Sequence, residues 1–121
     1  MLAFENKPSF VDFRKMGSVV KKYSTKRGNP QYGVTLKLRS NSIVALADGR
    51  IAGLGHLRGY GLYVIVDHGS GWHSLYSHLS RVDRVTGSSV KRGASIGVAR
   101  NKKLFLVVSY RGNPINPSEV F

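Results

Sequence analysis

The sequence has no cysteine and only six acidic residues. The first absence excludes a disulfide framework and any thiolate metal site. It is compatible with any compartment. The second leaves nineteen Lys and Arg facing Glu5, Asp12, Asp48, Asp67, Asp83 and Glu119, for a formal net charge of +13. A field of that size attracts polyanions, whether nucleic acid, anionic lipid or wall polymers, or acidic protein faces. The plainer alternative is a solvated basic surface with no dedicated partner. No apolar run approaches the length of a membrane span. The opening Met1-Leu2-Ala3-Phe4-Glu5-Asn6-Lys7 lacks the apolar core of a signal peptide. No Ser-His-Asp order, phosphate-binding loop or paired carboxylates stand out. Long helical periodicity is also missing. With 121 residues, this is one domain with a single modest core.

What is present is glycine, together with short runs of β-branched and aromatic residues. The class expected is mostly β, a single compact antiparallel domain with little helix. Residues 1–10 read as a flexible lead-in and 11–121 as the domain. Val11 to Tyr23 suits a first strand, and Ser24 to Tyr32 a loop. Val34, Leu36 and Leu38 alternate with Thr35, Lys37 and Arg39, as in a half-buried strand. Ile43 to Ala47 is a short strand stopped by Asp48-Gly49, with Arg50 to Gly53 continuing after it, a hairpin signal. Gly53 to Gly61 reads as a glycine-rich loop. Leu62 to Val66 is continuously apolar and expected to be central. Trp72 to Leu79 returns as its partner, and Leu104 to Tyr110 is the last long strand. Glycines spaced by short apolar pairs between Val85 and Gly97 suit a small barrel with tight turns.

Four anchors stand in order. They are Ala47-Asp48-Gly49-Arg50, Gly59-Tyr60-Gly61-Leu62-Tyr63-Val64-Ile65-Val66-Asp67-His68-Gly69, Leu75-Tyr76-Ser77-His78-Leu79-Ser80, and Pro114-Ile115-Asn116-Pro117. In that order they resemble the LytM (lysostaphin-like) metallopeptidase domain of bacterial cell-wall hydrolases, over roughly residues 17–117. The resemblance implies the barrel-sandwich, duplicated hybrid fold of that family. It also implies where a zinc ion would sit, through a His-x-x-x-Asp pair and the second His of a His-x-His pair. Carried onto this chain, the first pair falls on Gln31 and Thr35, and no His or Asp lies between Asp12 and Asp48 to rescue it. The second falls on Lys103 and Phe105. Gln is a poor zinc ligand and Thr a rare one. Lys103 shares a strand face with Phe105. Its ammonium would repel a dication by about 8 kcal/mol at about 4 Å and an effective dielectric of about 20.

His78 is the one matched position retained, the counterpart of a residue that assists catalysis. A lone groove histidine is more often a packing or hydrogen-bonding group than a catalyst. His73 and His78 are five apart on one strand and are expected on opposite faces. His68 is placed at a turn, within reach of His73 and of Asp67, whose expected work is turn geometry. His56 lies in the glycine-rich loop. Trp72, Tyr76, Tyr60 and Tyr63 could stack bases, but are expected to pack the core and edges.

LytM domains without metal form a class of their own, resembling EnvC-type and NlpD-type activators of cell-wall amidases. In that class the former substrate groove binds another protein. The resemblance therefore implies a pseudoenzyme with no catalytic residue, no metal and no cofactor. Its groove would be lined by Gln31, Thr35, Lys37, His78, Lys103 and Phe105, with Arg39 extending a positive rim. The implied partner is a zinc-dependent N-acetylmuramoyl-L-alanine amidase, acting in the periplasm or cell envelope at division, with this chain a piece of a longer exported protein. A passive peptidoglycan or wall-polymer binding module, or a residual peptidoglycan endopeptidase, are the alternatives. No nucleic-acid partner is expected.

Overall fold

The computed structural model describes residues 4–120. A short 3-10 turn, Phe13–Lys15, leads into β1 (Gly17–Lys21), β2 (Val34–Leu38), β3 (Ser42–Val44), β4 (Gly49–Leu57) and β5 (Gly61–Gly69). Then come β6 (Trp72–Val82), β7 (Ser89–Val90), β8 (Ser95–Ala99), β9 (Lys103–Tyr110) and β10 (Asn113–Ile115), closed by a 3-10 turn at Pro117–Val120. The strands form one antiparallel sheet in the order β1-β2-β9-β6-β5-β4-β7, with β3, β8 and β10 attached beside this path. The mostly β expectation holds, and the LytM-like fold is the one formed.

Strand register explains which side chains go inside. Alternation on β6 sends Trp72, Ser74 and Tyr76 into the core, where all three are fully buried. Leu104, Leu106 and Val108 do the same from β9, and Leu36 from β2. Residues 4–10, expected as a flexible lead-in, lie against this core. Phe4 packs edge-on to Trp72 and Tyr110 with centroids 5.2 and 5.4 Å away. The Trp72 indole N–H donates to the Glu5 carbonyl at 2.9 Å, and Phe10 is buried.

Three local expectations fail. Asp48-Gly49 is not a hairpin turn, because β3 pairs with β8 and β4 pairs with β5 and β7. The Asp48 carboxylate instead accepts the Arg92 N–H at 2.7 Å. Gly49 lets the chain run close to β5, where a Cβ would lie 2.5 Å from the Asp67 carbonyl. The second failure is the Gly53 to Gly61 loop. Residues up to Leu57 are strand, and only Arg58 to Tyr60 turn. Gly55 is tolerated there because the Tyr63 ring covers it, with the hydroxyl 2.9 Å from where a Cβ would be. Leu62 to Val66, in β5, is an interior strand beside β6, which stands at the middle of the path. The first strand is also shorter than Val11 to Tyr23, because Phe13 is drawn into the core by the turn that precedes β1.

Candidate functional site

On the sheet face opposite Trp72 and Tyr76 runs an open cleft of about 760 Å³. Its floor is built by alternation from two adjacent strands: Leu75 and Ser77 of β6, and Lys103, Phe105 and Val107 of β9. One wall is β1 and the loop before β2, giving Val20, Lys21, Pro30, Gln31 and Tyr32. The other is the tip of the β4–β5 hairpin, giving Leu57, Gly59 and Tyr60.

Five of the six expected groove residues, Gln31, Thr35, His78, Lys103 and Phe105, line this cleft. Thr35 lies directly opposite Phe105, and the Gln31 amide N–H donates to the Thr35 hydroxyl at 3.3 Å. Lys37 is outside the lining, but faces Lys103 directly across β2 and β9. Arg39 does not extend a rim, since its guanidinium donates to the Lys15 carbonyl. The apolar half of the cleft, namely Val20, Tyr32, Leu57, Tyr60, Leu75 and Val107, was not anticipated. Tyr60, expected to pack, is 61% exposed. The sequence signal that could have found the floor is the matched alternation of Leu75/Ser77 with Phe105/Val107.

His78 reaches the cleft through a backbone irregularity. The β5–β6 register jumps from Leu62↔Leu79 to Tyr63↔Ser77, making His78 the extra residue of a bulge. Its φ of 72° lies in the left-handed region that few non-glycine residues adopt. The bulge sends both Ser77 and His78 into the cleft. His73, Leu75, Ser77 and His78 thus share a face, and the expectation that His73 and His78 point apart fails. His78 Nδ1–H donates to the Lys103 carbonyl at 3.2 Å.

The donor chemistry tests whether a zinc ion fits. The lining holds one imidazole and no carboxylate, and Gln31 and Thr35 are engaged with each other. A catalytic zinc needs three His, Cys or carboxylate ligands besides water. Among the described residues no three His, Cys, Asp or Glu side chains come together anywhere. The side chains of this cleft do not fit the ion.

His68 belongs to a different place. It sits on the core side in a chain of short hydrogen bonds. His68 Nδ1 is 2.8 Å from the Asp48 carbonyl, and Nε2 is 2.8 Å from Ser74 Oγ. Ser74 Oγ is 2.6 Å from the Tyr76 hydroxyl, which accepts the Leu46 N–H at 2.9 Å. The carbonyl can only accept, so Nδ1 carries the proton of the neutral ring. Then Ser74 donates to Nε2 and Tyr76 to Ser74, and every donor is used. Burial pushes the His68 pKa below its ordinary value, against the pull of the Asp48 carbonyl. The same burial pushes the Tyr76 hydroxyl up to about 12. His73 approaches Asp67 at 3.8 Å on the outer surface.

Residues 29–117 match peptidase family M23. The chain belongs to that family. It is 33% identical over 81 residues to the murein hydrolase activator EnvC of Escherichia coli, covering 62% of this chain and 19% of EnvC. It is 28% identical over 107 residues to the murein hydrolase activator NlpD of Salmonella typhimurium, covering 84% of this chain and 28% of NlpD. Among solved structures, Helicobacter pylori Csd3 superposes with a TM-score of 0.76 at 28% identity, over 84% of this chain and 31% of that one. This M23 domain thus spans less than a third of the length of these relatives. No helix among the described residues is long and apolar enough to cross a membrane.

Proposed function

We propose that this M23 domain is a non-catalytic regulator of peptidoglycan remodelling. It binds a zinc-dependent N-acetylmuramoyl-L-alanine amidase through the cleft and activates it in the cell envelope during division. The observation that carries the reading is the lining of the cleft, which keeps an open apolar floor and a family groove but has one imidazole and no carboxylate. Such a groove can hold a peptide and has no means of activating water on it. Phe105 and Val107 offer an apolar anchor, and Lys103 a charge contact. The names of EnvC and NlpD as murein hydrolase activators support the same reading. In this reading Gln31, Thr35 and Phe105 stand where the peptidases of the family hold metal, and Lys103 where they hold a histidine that assists catalysis.

The test mixes the domain with a cognate amidase and dye-labelled sacculi. Release of labelled wall fragments rises with the native domain. It falls to the amidase-alone level with Lys103→Glu or Phe105→Asp, each first shown folded by circular dichroism. Full stimulation by both variants refutes the cleft as the binding site. A second reading, passive binding to an anionic wall polymer, draws on the +13 charge. It requires salt-sensitive retention on sacculi with no stimulation of the amidase.

A further inference from the structure

The sheet has an edge that its own strands leave unfinished. β7 pairs with only the first two residues of β4, Gly49 and Arg50. Ile51 makes the last contacts on that side, donating to the Ser88 carbonyl and accepting from Gly87 N–H, both at 2.8 Å. From Ala52 to Leu57 the only strand paired with β4 among the described residues is β5. In an antiparallel strand every second residue of such a stretch turns its N–H and C=O outward. Edges of this kind are ordinarily blunted by Lys, by Pro or by a β-bulge. Ala52-Gly53-Leu54-Gly55-His56-Leu57 has no Lys or Pro, its one bulge lies at its start, at Ala52, and Leu54 and Leu57 are 40% and 43% exposed.

Gly53 adds a second, independent sign. A Cβ there would meet nothing within 4 Å, and its φ is not positive. Gly53 follows the bulge that Ala52 makes in the β4–β5 pairing, and the space where its side chain would stand is open. Gly55, two residues on and on the same face, is covered by the Tyr63 ring from β5. Glycine in a strand leaves a gap that an aromatic side chain of a neighbouring strand fills. At Gly53 the partner on β5, Ile65, does not reach the gap, and among the described residues no strand pairs with it on the other side.

We propose that Ala52–Leu57 of β4 is a strand-addition site. Its occupant is an extended segment of another protein that continues the line of β7, carries an aromatic residue over Gly53, and has acidic residues at its ends. The charge preference comes from Arg50 and Arg58, which bracket the stretch, with no acid between Arg50 and Gly61. Arg50 already reaches toward this edge, donating to the Gly87 carbonyl at 2.8 Å. A second copy of this chain is disfavoured, because it would bring +13 against +13. The site shares only its last residue, Leu57, with the wall of the cleft, and it does not depend on the cleft's function.

The probe is a synthetic capped peptide, Glu-Val-Tyr-Val-Glu, compared with Glu-Val-Ala-Val-Glu and with a proline-interrupted version. Hydrogen exchange and amide chemical shifts are read residue by residue. The tyrosine peptide protects alternate amides between Ala52 and Leu57 and binds about three- to tenfold tighter than the alanine peptide. The proline version gives no protection. In Gly53→Val, whose side chain enters open space, the tyrosine advantage disappears while the melting temperature holds. Leu54→Glu weakens both peptides through like charge. Protection confined to β1, the opposite edge, overturns the proposal. So does a tyrosine advantage that survives in Gly53→Val, an absence of protection at millimolar peptide, or a dimer by light scattering that uses this edge.

Discussion

Replacing Tyr76 by Phe removes one oxygen from the middle of the core and should cost far more than its size suggests. The ring is fully buried, and its hydroxyl is the acceptor for the Leu46 N–H. Leu46 is itself fully buried, so water cannot take over. A buried donor left without a partner costs about 1–3 kcal/mol. The Ser74 hydroxyl loses a neighbour as well, but keeps His68. We therefore expect a loss of about 2 kcal/mol. Unfolding entropy of about 2.1 cal/mol/K per residue gives about 0.25 kcal/mol/K for a chain of this length, so the melting temperature falls by about 8 °C. Thermal unfolding followed by circular dichroism at pH 7.5 measures it. Tyr60→Phe, at an exposed position in the cleft wall, serves as the control and changes stability by less than about 0.5 kcal/mol. A drop below about 2 °C in Tyr76→Phe would show that the hydroxyl is not the tie between the loop before β4 and the sheet.

Two further predictions concern protons and metal. The folded pKa of His68 is depressed, chiefly by burial. The unfolded chain then binds the proton first as pH falls. Stability is therefore complete above about pH 6.5 and declines as pH drops from there toward the lower folded pKa. A second cause acts in the same direction, because protonated His68 would donate to Ser74, turn the Ser74 proton toward Tyr76 and leave the Tyr76 proton without an acceptor. Melting curves between pH 8 and 5 should show this slope, and His68→Asn should flatten it; an unchanged slope in that variant assigns the titration elsewhere. For metal, an ion that binds only the folded state at a hundred times its Kd would raise stability by about 2.7 kcal/mol. With no fitting donor set, added zinc or a chelator should leave the melting temperature unchanged within about 1 °C. A clear rise with stoichiometric zinc would contradict the reading of the cleft.

The sequence by itself determined a good deal of this domain. The period of two in Val34-Leu36-Leu38 and the apolar run Leu62 to Val66 marked strands, because burying one or both faces of a pleated strand demands those patterns. It also set the composition of the cleft: with no cysteine and no His or Asp between Asp12 and Asp48, no fold could place a zinc ligand from that stretch. Geometry that depends on which strands become neighbours was decided only in three dimensions. Glycines near Gly53 read as a loop because their partner Tyr63 is distant in sequence, and only pairing of β4 with β5 supplies the ring that makes Gly55 a strand residue. The bulge at His78 is invisible to a two-residue period, yet it decides which face the imidazole joins. The chain through His68, Ser74, Tyr76 and Leu46 joins the β3–β4 connection to β5 and β6, and hydrogen bonds between separate segments leave no local pattern in the sequence.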